Sequence, residues 1–354
     1  MKTNIKILFK KFKNALLNEG ISVAISRVFI FFINSYYLTR KFHKNPPSRI
    51  SFIRHLGREK RSITRKIEHD INLMAMNNEQ KKLNFLLIKG NDADFTDQEV
   101  VLLAHWDPDS IVDPYVAAMG EHFSGLGKKI ILCSASVLTL ESSTSWATAV
   151  VCRQSPGYDF TSWRAAFEAF PSLYKSQEVT LCNDSVFSPI GSYREIYKKM
   201  QTVKCDFWGL TASLETIPHI QSFHIVLKKT TLENLALKKF FSAVPLKNSR
   251  ELAIAFERYF TLWLELHGLQ PGVFVPFVKG VQINPTITYW KQLLEWGVPT
   301  LKRELLTKGG ALAPMKGWYD AIISNGYEIN LISDYFFRIG KDISQICCFG
   351  ERAE

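Results

Sequence analysis

Three short apolar runs in this chain end in groups that could do chemistry. His105 and Asp107 follow the run 100–104, Arg153 closes 147–152, and Asn183, Asp184 and Ser185 follow 179–182. A carboxylate at such a position could hold Mg²⁺ or Mn²⁺, which takes one or two carboxylates and fills its remaining sites with phosphate oxygens and water. Asp184 is the expected metal residue and a catalytic one, with Asn183 and Ser185 as polar neighbours. The competing reading of Asn183-Asp184-Ser185 is an Asx-turn or a helix N-cap. In RQSPGYDFTSW, residues 153–163, Arg153 could meet phosphate and Asp159 could accept from ribose or sugar hydroxyls, with Gly157 allowing close backbone approach. The alternative is a turn capped by Asp159 over a core of Tyr158, Phe160 and Trp163. His105 and Asp107 could face a base or ribose beside Trp106, or form a polar strand end.

A second set lies further on. His219 and Gln221 alternate with apolar neighbours in HIQSF, so they share one face of a strand. They are the expected substrate-binding residues together with Trp208 of DFWGLT. Glu257 stands beside an apolar stripe formed by Phe256, Phe260, Trp263, Leu264 and His267. It could be a general base that deprotonates a hydroxyl, or a charge favoured near a helix N-terminus.

The elements that must carry these groups are legible as a pattern. Runs 100–104, 129–133, 147–152 and 179–182 are short and continuously apolar, as buried parallel strands are. Helical stretches over 114–126 and 161–170 separate some of them, which predicts a βαβ-built α/β fold with a mostly parallel, Rossmann-type sheet flanked by helices. Ligands of such sheets bind at the carboxyl ends of the strands, where His105, Asp107, Arg153 and Asp184 all fall. The reading divides the chain into an extension over 1–80, a main domain over 81–310, and a C-terminal tail over 311–354 packing on it.

Charge supports that division. Residues 1–66 hold sixteen Lys and Arg against two acids, a charge of +14 where the whole chain has +11, so the rest carries −3. The basic character belongs to the N-terminal part, which argues against a nucleic-acid-binding core and for an arm that meets an anionic membrane surface. The apolar run 23–38 contains Arg27 and is short for a bilayer span, but its aromatic residues suit a helix lying in the interface. A helix packed on the protein itself is the alternative. No secretory signal is evident, and the scattered cysteines read as buried free thiols of a reducing cytoplasm. The expected location is therefore peripheral, on the cytoplasmic face of a membrane. No dinucleotide-binding glycine motif, P-loop, HExxH or GxSxG is present.

Six ordered blocks, AHWDPDSIVDPYV, GYDFTSW, LCNDSVFSPI, DFWGLT, HIQSF and NPTITYWKQLLEWGVPTLKRELL, resemble the rhamnan synthesis F family of bacterial polysaccharide glycosyltransferases. The GYDF and NDS portions are also similar to the wider GT-A glycosyltransferases. The resemblance implies a GT-A-like fold and metal-assisted, inverting transfer from a nucleotide-sugar, such as dTDP-L-rhamnose, to a lipid-linked or growing polysaccharide, at the inner face of the bacterial cytoplasmic membrane. It assigns Asp184 to the metal diphosphate and Glu257 to the catalytic acid–base position, with Arg153, Asp159, His219 and Gln221 at matching motif positions. A non-catalytic subunit of polysaccharide assembly, binding a glycan or a partner enzyme, is the competing class.

Overall fold

The structure is a computed structural model that describes residues 45–79, 81–139, 142–276, 284–308 and 312–343. Residues 1–44 of the expected extension, with its apolar run, lie outside the described residues. Two compact units emerge, a larger one over Asn45–Asp184 and Arg194–Gln282, and a smaller one containing Ser185–Tyr193 and residues from Ile283 onward.

The described strands in chain order are β1 (Ser48–Arg49), β2 (Phe85–Lys89), β3 (Glu99–His105), β4 (Lys129–Ser134), β5 (Ala149–Arg153) and β6 (Glu178–Asn183). They continue with β7 (Val186–Phe187), β8 (Phe207–Ser213), β9 (His219–Ile220), β10 (His224–Lys228), β11 (Pro271–Val275) and β12 (Leu301–Lys302). In the larger unit they form one sheet, ordered β1-β11-β8-β10-β6-β3-β4-β5-β2, with β9 paired to β8. The centre β6-β3-β4-β5 is parallel, as the continuously apolar runs require, because both faces are covered. β8 and β11 run the same way, while β10, lying between β6 and β8, is antiparallel to both. The mixed α/β class and the mostly parallel sheet flanked by helices are thus as the sequence predicts.

The helix Pro114–Gly125 links β3 to β4, and the helix Asp159–Ala169 links β5 to β6. After β5 the chain returns to lay β6 on the far side of β3. The direction of travel therefore reverses between β3 and β6, which makes their carboxyl ends the switch point, the place where open sheets of this kind bind ligands. Trp163 of the second helix bolts this junction. Its indole N–H is within 3.1 Å of the Leu102 carbonyl and 3.3 Å of the Cys182 carbonyl. One face of the sheet, including Val100, Leu102, Ile131, Val151 and Leu181, packs on Trp163, Phe167, Phe240 and Phe260.

Residues 48–78 belong to this unit. β1 pairs with β11, and the helix Lys60–Asn78 buries Ile67 and Ile71. Asn78 at its end donates to the Ser242 and Val244 carbonyls at 3.0 and 2.9 Å. Among the described residues, no helix is long and apolar enough to cross a membrane.

In the smaller unit β7 pairs with β12. Phe187 of β7 meets the ring of Tyr335 edge-on at 5.8 Å, and the helix Ile329–Arg338 supplies that tyrosine.

Candidate functional site

The switch point between β3 and β6 gathers groups from the ends of both strands. Beyond β6, Asp184 is buried, and its Oδ2 accepts the backbone N–H of Trp106 at 3.1 Å. Its own N–H donates to the Ala104 carbonyl, continuing the ladder one residue past the strand. Tyr115, on the first turn of the helix after β3, donates its hydroxyl to the Asp184 carbonyl at 3.1 Å. The carboxylate is therefore fixed by the strand beside it and by the helix behind it.

Asp107 organises the loop after β3. Its Oδ1 accepts the N–H groups of Asp109 and Ile111 at 2.9 and 3.1 Å, and its own N–H donates to Ser136 Oγ at 2.8 Å. His105 braces the same loop. Its Nδ1 lies 3.0 Å from Ser134 Oγ and its Nε2 lies 3.1 Å from the Ile111 carbonyl. Trp106, between them, is 58% exposed, so it offers an open aromatic surface beside Asp184.

On the other side of β3, Arg153 ends β5. Its guanidinium bonds Ser162 Oγ at 3.1 Å, the Gly157 carbonyl at 3.0 Å and the Ser155 carbonyl. Burial pushes its pKa down to about 10, with Asp159 opposing, so it stays charged at neutral pH. Asp159 opens the helix after β5, and its Oδ2 accepts from Asn183 Nδ2 at 2.7 Å. That bond joins the 153–159 loop to the end of β6.

The second group stands at the same edge. His224 of β10 pairs with Cys182 of β6, so the 221–223 segment emerges level with Asn183. β9 pairs with the end of β8, setting His219 opposite Ser213. Gln221 lies just past β9, and its side-chain oxygen accepts from Thr211 Oγ1 at 2.8 Å. The helix Arg250–Leu266 covers this segment. Thr261 accepts the Ile220 N–H at 3.0 Å, and Glu257 Oε1 accepts both the N–H and the hydroxyl of Ser222 at 3.0 and 2.8 Å. This helix begins at Arg250 behind a Ser249 cap, so Glu257 lies about two turns in. The helix-terminus reading of its charge therefore gives way, and Glu251 holds that place.

One expected residue, Trp208, is not brought to this edge, and another, Ser185, directly follows Asp184 across the boundary between the units. Trp208 is buried near the beginning of β8 and lines a cavity of about 300 Å³ with Lys128, Glu178 and Tyr197, towards the amino ends of the parallel strands. Ser185 falls in the smaller unit, where its hydroxyl accepts from Lys302 Nζ at 3.0 Å and its carbonyl from the Arg303 N–H.

The sequence reading passed over Tyr115, Ser136 and Ser222. Ser134 and Ser136 follow an apolar run just as His105 and Asp184 do, so the same strand-end logic reaches them. Tyr115 and Ser222 become visible only through the fold.

Among the described residues, no group of three or more His, Cys, Asp or Glu could hold a metal ion. A single carboxylate such as Asp184 could still meet Mg²⁺ or Mn²⁺ in the other way, in which the remaining ligands are diphosphate oxygens and water.

The family described as rhamnan synthesis protein F matches residues 130–345, more than half of the chain. No curated protein matches it.

Proposed function

This chain belongs to the rhamnan synthesis protein F family, and from that membership we propose that it is a glycosyltransferase of surface-polysaccharide synthesis with a GT-A-like site. The proposed donor is a nucleotide-sugar, and the acceptor is a lipid-linked oligosaccharide or growing polysaccharide. The observation that carries the reading is Asp184, a buried carboxylate at the sheet's switch point beside the exposed ring of Trp106.

In this reading Asp184 holds a divalent metal, which when bound would neutralise the charge of the leaving diphosphate. Arg153 contributes its positive charge to the donor phosphates, and Asp107 and Asp159 line the nucleotide side. His105 keeps the 106–111 loop in place for that contact. Gln221 and His219 face the sugar and acceptor. Transfer inverts the anomeric centre: the acceptor oxygen attacks from the side opposite the diphosphate, and one group at the 219–257 edge takes its proton.

The test is nucleoside diphosphate release by purified protein, with a panel of nucleotide-sugars and cell lipid extract as acceptor. Wild type should release diphosphate from one donor, and Asp184→Ala should lose that release while keeping its fold by circular dichroism. Full activity in Asp184→Ala would reject the metal assignment. Neither release nor binding with any donor would move the reading to a non-catalytic assembly subunit.

A further inference from the structure

The geometry points to His219 Nε2 as the atom that removes the proton from the acceptor hydroxyl, with Glu257 as its positioning neighbour. This rests on the transferase reading above and goes beyond it by moving the base from Glu257, the residue that the sequence suggests, to His219.

His219 is 6% exposed, and its Nδ1 lies 2.7 Å from the Ile217 carbonyl. A carbonyl only accepts, so Nδ1 carries the hydrogen, and in the neutral ring Nε2 is left with a lone pair. Among the described residues that nitrogen has no hydrogen-bond partner, and it is not one of the unpartnered polar atoms closed off from solvent. A buried ring whose one nitrogen is pinned and whose other is open has the form of a general base. The other imidazole at this edge, His105, has protein partners on both nitrogens.

Glu257 is differently placed. Its Oε1 already accepts two hydrogens from Ser222, which holds the 221–223 segment against the helix. Its negative charge nevertheless favours the imidazolium that His219 would become. Burial holds the His219 pKa below the ordinary imidazole value, Glu257 and Glu215 oppose that shift, and Arg258 adds to it. The ring is therefore neutral at neutral pH, as a base must be before it acts.

The step balances without a further reagent. The acceptor O–H bond breaks, its proton goes to Nε2, and the oxygen forms a bond to the anomeric carbon. The bond from that carbon to the diphosphate oxygen breaks, and the diphosphate leaves with the electron pair. The imidazolium then returns its proton to solvent.

The discriminating variant is His219→Asn. Its side-chain amide can still donate to the Ile217 carbonyl, but it has no basic nitrogen. With dTDP-L-rhamnose and cell lipid extract as probes, alongside the donor panel, donor affinity by calorimetry should stay within about threefold. Turnover should fall by about 10²–10⁴-fold, the usual worth of a positioned base. The wild-type pH–rate profile should fall on the acid side as the imidazole protonates, and His219→Asn should lack that limb. Independently of activity, ¹⁵N resonances of the full-length protein should show a neutral His219 with hydrogen on Nδ1 at pH 7. Turnover or an acid limb unchanged in His219→Asn, or hydrogen on Nε2, would overturn the assignment while the transferase reading stands. A wild-type protein that releases diphosphate from no donor would overturn both.

Discussion

His224 offers a measurement that needs no substrate. It is fully buried in β10, with its ring stacked on Phe123 at 5.9 Å, tilted against Trp208 at 5.8 Å and edge-on to Tyr197 at 6.1 Å. Burial, aided by the nearby charge of Lys128, pushes its pKa down to about 3. The unfolded chain has an ordinary imidazole near ~6.5. Above that pH neither state is protonated and the residue contributes no pH dependence. As pH falls below it, the unfolded chain gains a proton that the folded one refuses, so stability drops until about pH 3. One unit is worth about 1.4 kcal/mol, so the loss at pH 5 is about 2 kcal/mol. His224→Phe keeps a flat ring among aromatic neighbours and removes the titration. Urea unfolding followed by fluorescence should give a stability difference between variant and wild type that is constant above pH 7. That difference should shift by about 2 kcal/mol in the variant's favour at pH 5. A difference that does not change with pH would refute the reasoning.

Lys128 has a side chain only 3% exposed and bonds both Glu99 and Glu178 at 2.7 Å, so Lys128→Met should cost about 3–5 kcal/mol by leaving Glu178 buried without its cation. Calorimetric melting checks this, and adding Glu178→Gln should recover part of the loss. Glu257→Gln keeps an oxygen for Ser222 but removes the charge beside His219. The acid limb of the pH–rate profile should therefore move to lower pH, with donor affinity unchanged by calorimetry. Residues 1–44 carry nine Lys and Arg against one Glu, so the full chain should sediment with anionic vesicles at low salt and release partly at high salt. A chain starting at Asn45 should stay in the supernatant, and equal sedimentation of both would remove the arm from the explanation.

The parallel centre was legible because strands covered on both faces must be continuously apolar, and 100–104 and 179–182 are. The groups following those runs were legible for the same reason. β8, β10 and β11 were not foreseen. Phe207-Trp208-Gly209-Leu210-Thr211 is apolar with no boundary to mark its strand, and β10 is antiparallel between two strands of the opposite sense, a relation that no local pattern encodes. Trp208 was drawn towards the site by its motif, whereas its place is decided by where it falls along β8, near the start. Spacing put Glu257 forward as the base and His219 as a substrate contact, because the difference between them is which atoms already have partners, and no spacing shows that. Residues 49–80 were counted with the N-terminal extension because the apolar positions of their helix are few. Ile67 and Ile71 bury fully only because helices 160 residues further on receive them.

Gly209 contributes no functional group, yet it acts as a gauge for the site. A Cβ built there would come within 2.1 Å of Ile220 Cγ2 and 3.1 Å of the His224 carbonyl, where ordinary contact begins near 3.4 Å. Ile220 is the neighbour of His219 on a two-residue strand. A methyl group at 209 would push that strand away from β8 by about an ångström unless the Ile220 side chain turns or the sheet yields. A displacement of about 1 Å at a reacting group can cost on the order of 10²-fold in rate. The reach of the imidazole is thus set by an atom that is missing. A search for tunable positions around this site, whether by evolution or by design, would find one in a residue that touches no substrate and bears no charge.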